Sequence, residues 1–312
     1  MAKFLVTGGC GFIGSHLVEV LLRRGDQVCV IDDLSTGRRE NLPDSVPVAV
    51  GDVADAQRVA EVMRGVDGCF HLAAVASVQR GNEDWLGTHR SNLTGAICVF
   101  DAARHCNPKG PVPVVYASSA AVYGDNPDIP LAETAPLAPL SAYGSDKAGC
   151  ELHARVAWHV HGVPTTGFRF FNVYGPRQDP KSPYSGVIAI FADRIAANQT
   201  IDIHGDGQQV RDFVYVADVV RHLLAAMDSE RTGARVFNVS TGRATSILDL
   251  AGLLAEIGGR PLRVAHKPAR TGDIKVSLGD PGRAAAAFGF TADVLVADGL
   301  RRTFAALAPA AG

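Results

Sequence analysis

A glycine-rich turn close to the N-terminus constrains the fold of this chain more than any other stretch. Gly8–Gly14 has glycines at its first, fourth and last positions, and it follows the apolar run Lys3–Thr7. Ser15–Arg24 then has helical periodicity and stops at Gly25, and Gln27–Asp32 is a second apolar run. Two parallel strands need a crossover connection, which is usually a helix. Strand, glycine turn, helix and strand therefore predict a β-α-β unit.

The same alternation of strand-like and helical segments continues to about residue 170. Strands are predicted at Val46–Gly51, Gly68–Ala73, Pro113–Ser118 and Thr165–Phe171, and helices at Ala56–Met63, at Asp84–His105 and around Tyr143. Strands that alternate with helices form a parallel sheet that is covered by helices on both faces. The predicted fold class is therefore α/β, with a Rossmann-type doubly wound parallel sheet.

The character of the sequence changes after Asn172, where a loop rich in Pro, Gly and Tyr extends to Ser185. Beyond this loop, helices are predicted at Ile188–Ala197 and Val219–Ala226, and strands at Ile201–His204, Arg211–Val216 and Val236–Val239. We interpret residues 1–170 as one domain, to which segments near 211–245 return, and residues 171–312 as a smaller α/β C-terminal lobe.

The overall composition argues against several classes of function. A net charge of −2 gives no broad attraction to nucleic acid or to an anionic membrane. No apolar stretch approaches about 18 residues without a charge, and the N-terminus lacks the pattern of a signal peptide. The six cysteines show no C-x-x-C spacing, which indicates buried thiols in a reducing compartment. We therefore expect a cytoplasmic protein with no metal, no nucleic-acid partner and no membrane span.

The glycine turn and the acid that ends the second strand together point to a dinucleotide. Glycine permits a tight turn and lets the backbone approach a pyrophosphate, which a helix N-terminus attracts. Asp32 lies 18 residues after Gly14, where a carboxylate accepts hydrogen bonds from a ribose and repels a 2′-phosphate. The sequence therefore favours NAD over NADP, although the nearby Arg38 and Arg39 weaken this preference. Asp52, after the third strand, is expected to meet the adenine amino group.

Tyr143 and Lys147 are a candidate reacting pair, because a four-residue spacing on a helix places both side chains on one face. A neighbouring positive charge favours the phenolate, so Lys147 and a cationic nicotinamide are expected to lower the pKa of Tyr143. Tyr143 could then act as a base near neutral pH. Ser119 follows a predicted strand whose C-terminus faces the ligand crevice. Its hydroxyl is expected either to donate to a substrate oxygen, to relay a proton or simply to cap the loop.

Seven segments of the chain resemble the extended short-chain dehydrogenase/reductase family. They are Gly8–His16, Asp32–Gly37, His71–Ala74, Ala117–Gly124, Tyr143–Lys147, Arg169–Arg177 and Arg211–Asp218. Within this family the chain looks most like the UDP-sugar 4-epimerases of the UDP-glucose/UDP-N-acetylglucosamine group, from residue 3 to about residue 300. The resemblance implies an NAD-dependent isomerase of class EC 5.1.3. It also implies a homodimer, since the family often pairs two helices per subunit, here near 84–105 and 146–160.

The resemblance also implies a role for each site residue. Tyr143 would take the proton of the sugar 4-hydroxyl while NAD accepts hydride from carbon 4, Lys147 would hold the nicotinamide ribose, and Ser119 would be the Ser/Thr partner. The implied NAD contacts are Gly8, Gly11, Phe12, Ile13, Gly14, Asp32, Asp33, Leu34, Ser35, Thr36, Gly37, Asp52, Val53, Leu72, Ala73, Ala74, Asn92, Ser118, Tyr143, Lys147 and Phe170. The implied substrate contacts are Ala76, Ser77, Ser119, Asn172, Gln178, Val187, Arg211, Arg270, Asp273 and Ser277. Among them Asn172, Arg211 and Arg270 would bind the diphosphate, and Asp273 the uridine ribose.

A few positions separate the related reactions. The 4,6-dehydratases of the family carry Asp-Glu directly after the catalytic Ser/Thr, where this chain has Ala120 and Ala121, so dehydration is disfavoured. Asp179 would repel a carboxylate, which places UDP-glucuronate behind the neutral sugars. Ser277 leaves room for an N-acetyl group, so UDP-GlcNAc and UDP-GalNAc rank slightly above UDP-glucose and UDP-galactose. A nucleotide-sugar 4-ketoreductase and an NAD-binding regulatory protein without turnover stay open as alternatives.

Overall fold

The structure is a computed structural model, and it describes residues 1–179, 186–229, 232–269 and 273–306. Backbone contacts divide the chain into two compact units. The first unit consists of residues 1–124, 136–170 and 220–237, and the second contains 125–135, 171–219 and the residues from 238 onward. Residues 125–135, which the sequence interpretation placed in the first domain, thus belong to the second unit. The returning segment of the first unit, 220–237, is shorter than the expected 211–245.

The strands and helices have the following bounds. The strands are β1 (Lys3–Thr7), β2 (Gln27–Asp32), β3 (Val48–Val50), β4 (Gly68–His71), β5 (Val114–Ser119), β6 (Thr165–Phe170), β7 (Asn172–Tyr174), β8 (Ile201–His204), β9 (Val210–Arg211), β10 (Phe213–Tyr215), β11 (Ala234–Val239), β12 (Thr245–Ser246), β13 (Val264–Lys267) and β14 (Val276–Ser277). The helices are α1 (Phe12–Arg23), α2 (Ala56–Val62), α3 (Val78–Glu83), α4 (Trp85–His89), α5 (Gly95–Ala103), α6 (Ala142–His161), α7 (Val187–Ala196), α8 (Val216–Asp228), α9 (Ile247–Ile257), α10 (Gly282–Phe288) and α11 (Val296–Ala305). Short 3-10 turns cover Arg39–Asn41 and Ala120–Tyr123, and a π-helical turn covers Arg90–Thr94.

The first unit is built on a seven-stranded sheet with the order β11-β6-β5-β4-β1-β2-β3. The neighbouring strands from β3 to β6 all run parallel. The strand order reverses between β1 and β4, and open α/β sheets bind ligands outside the carboxyl ends of the strands at such a point. The predicted α/β fold with a doubly wound parallel sheet is therefore confirmed.

Alternating side chains along β1 and β4 build a core on each face of this sheet. Leu5 and Cys69 lie side by side and pack with α2, α5 and α6 in one apolar cluster. Phe4 and Phe70, one position away on each strand, meet edge to face with their ring centroids 5.5 Å apart. Met227 of α8 packs beside Gly68, where a Cβ would lie 2.7 Å from the Met227 sulfur and 3.3 Å from the Phe4 ring. Helices therefore shield both faces, as a parallel sheet requires.

The second unit contains three small sheets instead of one large one. β10 pairs with β7, β13 pairs with β8, and β9 lies between β12 and β14. Helix α9 packs against α7 and α11, and Gly258 lets Ile195 and Phe304 approach the end of α9. The smaller α/β lobe predicted from the sequence therefore contains both helices and small separate sheets.

Two predicted elements are interrupted. The helix expected at Asp84–His105 begins with the Asp84 carboxylate as N-cap, which accepts from the Gly87 N–H, and the π-helical turn at Arg90–Thr94 divides it into α4 and α5. The strand expected at Arg211–Val216 breaks at Asp212, whose carboxylate accepts from the Thr241 and Gly242 N–H groups. β9 and β10 consequently belong to different sheets.

The six cysteines are free thiols, of which Cys10, Cys69 and Cys150 are buried. Across the described ranges, no three His, Cys, Asp or Glu side chains group together as a metal site requires. None of the described helices combines the length and the apolar content that crossing a membrane demands.

Candidate active site

The glycine turn after β1 needs its glycines for steric reasons. Gly8 has φ +68°, and a Cβ on it would lie 2.7 Å from the Ala73 nitrogen. A Cβ on Gly14 would overlap the Gly8 carbonyl oxygen. Helix α1 begins at Phe12, three residues earlier than predicted, so Gly14 lies inside its first turn. Gly11 is the N-cap and has no side chain to accept from the first N–H groups, which leaves them for an anion.

Asp32 is held at the end of β2 by two backbone N–H groups. Its Oδ2 accepts from Cys10 and its Oδ1 from Leu34, both at 2.9 Å. Leu34 reaches this position with φ +58°, in the left-handed region. Burial raises the pKa of the Asp32 carboxyl, and the two hydrogen bonds partly offset that effect. Each oxygen of a carboxylate has a second acceptor position, so Asp32 can still accept from a pair of hydroxyls.

Arg39 is turned toward its own loop. Its guanidinium donates to the backbone carbonyls of Leu42 at 3.0 Å and of Pro43, Asp44 and Val46 at 3.3 Å. These bonds occupy the cation that a 2′-phosphate would need. Arg39 therefore argues less against a ribose with a free 2′-hydroxyl than the sequence alone suggested.

An open cavity of about 240 Å³ lies beside the glycine turn. Its lining includes these residues proposed from the sequence: Gly8, Gly11, Phe12, Ile13, Gly14, Asp32, Asp33, Ser35, Thr36, Gly37, Asp52, Val53, Leu72, Ala73, Ala74 and Ala76. It also includes Ile31, Gly51, Val75, Ser91 and Ala117, which were not anticipated. Ser91 lies in the π-helical turn, and such turns are frequent at functional sites but carry no simple sequence signal. Fifteen of the 21 residues expected to surround a dinucleotide thus line a single cavity. The lining does not include Leu34, Asn92, Ser118, Tyr143, Lys147 or Phe170.

Two residues expected to contact the cofactor have other partners. Asn92 is buried, and its amide accepts from the Val75 N–H at 2.8 Å and donates to the Val75 carbonyl at 3.2 Å. The buried Ser118 hydroxyl donates to Glu151 Oε1 at 2.5 Å. Asn92 therefore fixes the loop that lines the cavity, and Ser118 belongs to a buried polar network. Phe170 is buried at the end of β6, and Leu34 reaches Asp32 only through its backbone.

Tyr143 and Lys147 lie on the first turns of α6, where Ser141 caps the helix by accepting from the Gly144 N–H at 3.0 Å. Lys147 is 2% exposed, and its ammonium donates to the Ala117 carbonyl at 2.8 Å. Its Nζ lies 5.9 Å from the centre of the Tyr143 ring. The charge of Lys147 is therefore fixed beside the Tyr143 ring. Ala117, to which Lys147 donates, belongs to the cavity lining.

Ser119 ends β5 and caps the 3-10 turn that follows. Its Oγ accepts from the Ala121 N–H at 3.2 Å, and a hydroxyl that accepts can still donate its own proton. A Cβ on Gly144 would lie 2.7 Å from the Ala121 carbonyl oxygen, so glycine there lets this turn approach α6 closely. The capping and donating roles of Ser119 are thus compatible. Ala120 and Ala121 contribute only methyl groups, which cannot exchange protons.

His71, at the end of β4, is a buried and neutral neighbour of this region. Burial, with a smaller contribution from Lys147, lowers the pKa of His71 to about 3. Its Nδ1 lies 2.8 Å from the Thr7 hydroxyl, which itself accepts from the N–H groups of Leu72 and Ala73. The Thr7 proton is therefore directed to Nδ1, and His71 carries its proton on Nε2.

The second unit brings three of its predicted substrate residues together. Arg211 Nη2 lies 2.6 Å from Asp273 Oδ1, and Gln209 Nε2 donates to Asp273 Oδ2 at 3.2 Å. Ser277 of β14 pairs with Arg211 of β9 in the sheet register. Burial lowers the pKa of Arg211, which the Asp273 carboxylate partly offsets. Arg211, Asp273 and Ser277 therefore form one cluster.

Asp212 joins this cluster to the neighbouring chain segments by hydrogen bonds, and the sequence analysis did not identify it. Its Oδ1 accepts from the Thr241 N–H and hydroxyl at 2.8 and 2.7 Å, and its Oδ2 accepts from the Gly242 N–H at 2.9 Å. Its own N–H donates to the Ser277 carbonyl at 3.0 Å. Burial raises the pKa of Asp212, and these hydrogen bonds counteract the rise.

The other predicted substrate residues that the structure describes have various surroundings, and the Asn172 N–H donates to the Asp212 carbonyl at 2.9 Å. Ser77 is buried and caps α3 by accepting from the Arg80 N–H at 3.0 Å. Asn172 is exposed at the start of β7, Gln178 lies beside Gly186, and Val187 opens α7. Arg270 falls outside the described residues.

Solved structures and curated relatives match the chain over nearly its whole length. The UDP-glucose 4-epimerase of Mycolicibacterium smegmatis is 38% identical over 96% of this chain and 97% of its own. The structure of UDP-glucose 4-epimerase from Thermotoga maritima with UDP-glucose has a TM-score of 0.93 at 35% identity and covers 97% of this chain and 98% of its own. The UDP-N-acetylglucosamine 4-epimerase of Methanobrevibacter ruminantium, in complex with UDP-N-acetylmuramic acid, has a TM-score of 0.91 at 35% identity and covers 97% of both chains.

The glycine turn, the β5 end and the Tyr143–Lys147 pair also fall within a single family match. The model of the NAD dependent epimerase/dehydratase family matches residues 4–240. The match includes the whole cavity lining, and it ends beyond β11, the last strand of the large sheet. The chain therefore belongs to the NAD dependent epimerase/dehydratase family.

Proposed function

We propose that the protein is an NAD-dependent 4-epimerase of a UDP-hexose, an isomerase of class EC 5.1.3. The observation that carries this proposal is the fixed Lys147 charge beside Tyr143, on a helix next to a cavity lined by the glycine turn and Asp32. The similarity to UDP-glucose 4-epimerases and to a UDP-N-acetylglucosamine 4-epimerase supports the reaction class.

NAD fits the residues of the first unit. The cradle at Gly8 and Gly14 is one that a Cβ would fill, and the N–H groups at the start of α1 suit a pyrophosphate. Asp32 has acceptor positions for the adenosine ribose. Asp52 belongs to the cavity lining, and we assign it to the adenine amino group. When bound, NAD supplies reversible acceptance of hydride from carbon 4 of the sugar. We accordingly assign cofactor binding to the domain that spans residues 1–170.

The proton that leaves the 4-hydroxyl needs a base, and Tyr143 is the candidate. Its phenolate oxygen would take the proton as the 4-keto sugar forms, and its phenol would return the proton after the sugar has turned over. Lys147 supports this exchange because its ammonium is held at the Ala117 carbonyl and cannot move away from the ring. The Ser119 hydroxyl would either donate a hydrogen bond to the same sugar oxygen or relay the proton, in which case it accepts the proton of the 4-hydroxyl while its own proton passes to Tyr143.

The nucleotide part of the substrate is assigned to the lobe that spans residues 171–312. Arg211 and Asn172, together with Arg270, would bind the diphosphate, and Asp273 would accept from the uridine ribose. Arg211 donates to Asp273 at 2.6 Å. Since a guanidinium has five N–H groups and each carboxylate oxygen has a second acceptor position, Arg211 has donors for a diphosphate and Asp273 has acceptor positions for the ribose hydroxyls.

The sugar itself is assigned from Ser277, which stands beside Arg211 in the register of β14 and β9. A small side chain at that point leaves space for an N-acetyl group, so we rank UDP-GlcNAc and UDP-GalNAc slightly above UDP-glucose and UDP-galactose. UDP-glucuronate ranks behind them because the negative charge of Asp179 would repel its carboxylate. Ala120 and Ala121 leave a dehydration without its acid–base pair.

The decisive experiment incubates the purified protein separately with UDP-GlcNAc and UDP-glucose and separates the products by chromatography. An epimerase converts at least one of them to its 4-epimer without net consumption of NAD or NADH. Conversion of neither sugar, with NAD bound, would instead support an NAD-binding regulatory protein. Consumption of added NADH in step with reduction of a 4-keto sugar would support a ketoreductase.

We also propose that the enzyme is a homodimer of a cytoplasmic compartment. Leu152, Val156 and Val160 are 59, 47 and 67% exposed and recur every four residues, so they form an apolar stripe along α6. A second copy of the same stripe is the simplest cover for it. Light scattering after gel filtration should report two chains, and Val156→Glu should report one. The six free thiols fit a reducing compartment.

A further inference from the structure

An ion pair is buried directly below the Tyr143–Lys147 face of α6. Glu151 follows Lys147 at the same four-residue spacing and therefore lies on that face, one turn further along. Arg169 of β6 meets it with two bonds, Nε to Oε1 at 2.9 Å and Nη2 to Oε2 at 2.7 Å. Both side chains are only 6% exposed. A buried ion pair often stabilises a fold no better than apolar residues of the same size, so its position calls for another explanation.

The pair is bonded to the chain on both sides of Ser119. On one side, the Ser118 hydroxyl donates to Glu151 Oε1 at 2.5 Å, and Ser118 lies opposite Arg169 in the register of β5 and β6. On the other side, Arg169 Nη1 donates to the Tyr123 hydroxyl at 2.9 Å, and the Tyr123 ring faces the guanidinium at 4.8 Å. The residue before Ser119 and the turn after it are thus both anchored to the same ion pair, one to Glu151 and the other to Arg169.

The same strand end is also anchored to α6 above the pair. The Ala117 carbonyl accepts from Lys147 and the Ser118 hydroxyl donates to Glu151, so consecutive residues of β5 bind consecutive turns of α6. A bidentate Arg–carboxylate contact has a fixed geometry, which a single hydrogen bond lacks. The pair therefore fixes the position and the orientation of the β5 end relative to the helix that carries Tyr143.

We propose that Glu151 and Arg169 are positioning residues, which hold the Ser119 hydroxyl in register with Tyr143 through Ser118 and Tyr123. This inference rests on the proposed function, because it assumes that Ser119 and Tyr143 act on the same sugar oxygen. Neither Glu151 nor Arg169 needs to touch the substrate or the cofactor in this role.

Removing one partner of the pair would leave the other charged and buried, which risks unfolding the protein. The test therefore uses Ser118→Ala and Tyr123→Phe, each of which deletes one hydroxyl and keeps the ion pair. We expect kcat of epimerisation to fall about 10- to 100-fold in each, with KM changed by less than about threefold, because misplacing a reacting group affects the reacting state more than binding. Thr165→Val is the matched control, since the buried Thr165 hydroxyl joins β6 to α6 by donating to the Ala154 carbonyl at 3.2 Å. Its kcat should stay within about twofold of the unaltered enzyme.

A double-mutant cycle with Ser119→Ala separates positioning from general support of the fold. If Tyr123 acts through Ser119, then Tyr123→Phe should lower kcat no further once the Ser119 hydroxyl is gone. Losses that multiply in the double variant would overturn the proposal. So would a loss confined to KM.

Hydrogen exchange gives a readout that does not depend on turnover. The Ala121 amide donates to Ser119 Oγ, so peptides covering residues 118–124 should exchange faster in Ser118→Ala and Tyr123→Phe, while those of α6 keep their protection. Unchanged exchange in residues 118–124 would contradict the proposal. If the unaltered protein converts neither UDP-sugar, the proposed function fails, and the exchange experiment still decides whether the buried pair holds the Ser119 turn.

Discussion

Asp32 in the first unit and Arg211 in the second hold their charges in different ways. Asp32 receives two backbone N–H groups at 2.9 Å, one from the glycine turn and one from Leu34. The Arg211 guanidinium donates to the side chain of Asp273 at 2.6 Å and to the backbone carbonyl of its neighbour Val210 at 2.9 Å. The acid is thus fixed by the backbone, whereas the cation is held by a partner that can exchange for another anion.

The difference suits the ligand proposed for each region. A dinucleotide is served by a site whose shape the backbone sets before binding, because little has to be reordered. A substrate that enters and leaves is served by a charge with a replaceable partner. We therefore expect changes at Asp32 to alter cofactor affinity, and changes at Arg211 to alter the KM of the UDP-sugar.

The largest effect is expected at Tyr143, the proposed base. Tyr143→Phe removes the phenolic oxygen and keeps the ring, so NAD content should be unchanged. Loss of a positioned acid–base group costs about 10²- to 10⁴-fold in rate, and kcat of epimerisation should fall in that range. The measurement is conversion of the better UDP-sugar, with released NAD quantified in parallel. A near-native rate would remove Tyr143 as the base.

Arg211→Ala should raise the KM of the UDP-sugar about 10- to 100-fold, because a hydrogen bond between charged groups contributes roughly 1.5–3 kcal/mol. NAD content should stay constant, since Arg211 belongs to the second unit. Arg194→Ala is the matched control: Arg194 pairs with Asp202 at 3.0 Å on the surface of the same unit, and its loss should leave KM unchanged. Equal effects of the two substitutions would refute a specific role for Arg211.

Acid should destabilise the first unit through His71. Its pKa is about 3 in the folded chain and about 6.5 when unfolded, so the unfolded chain binds the extra proton between these values. Stability from this group is complete above pH 6.5 and decreases as pH falls, by about 2 kcal/mol, or roughly 30-fold in the folding equilibrium, from pH 7.5 to 5. Denaturant titrations should show a shallower pH dependence in His71→Asn. The exposed His159→Asn is the control and should keep the original slope; identical slopes for all three proteins would contradict the assignment.

Asp32→Asn tests whether the first of the two regions acts on cofactor affinity alone. Asparagine keeps one acceptor oxygen for the Cys10 or Leu34 N–H but loses the charge, so NAD affinity should fall about tenfold, the effect of roughly 1.4 kcal/mol. Titration calorimetry of the stripped protein measures this, and the KM of the UDP-sugar at saturating NAD should not change. Asp26→Asn, at the opposite end of β2, serves as the control. A larger effect on KM than on NAD binding would reverse the assignment of the two regions.

The same contrast explains which parts of the molecule the sequence could predict. The glycine turn and Asp32 are local patterns, and the structure places them beside one sheet and on the wall of one cavity. The Tyr143–Lys147 spacing is also local, and Lys147 donates to Ala117, which belongs to the cavity lining. The break of the predicted strand at Asp212 depends on Thr241 and Gly242, about 30 residues later, and no local periodicity shows such a bond. The bond between the Asn92 amide and Val75, 17 residues earlier, is likewise a contact that no local pattern shows.

Ser277→Tyr tests the sugar preference of the second unit and is expected to have the smallest effect. Ser277 pairs with Arg211 in the sheet register, so a larger side chain there should crowd an N-acetyl group more than a hydroxyl. Overpacking costs about 1 kcal/mol or more, which corresponds to roughly a fivefold shift in relative kcat/KM from UDP-GlcNAc toward UDP-glucose. Ser277→Ala, which changes little volume, is the control and should leave the ratio unaltered. A matching loss on both sugars would refute a gate at Ser277 while leaving the role of Arg211 intact, since the diphosphate is common to both substrates.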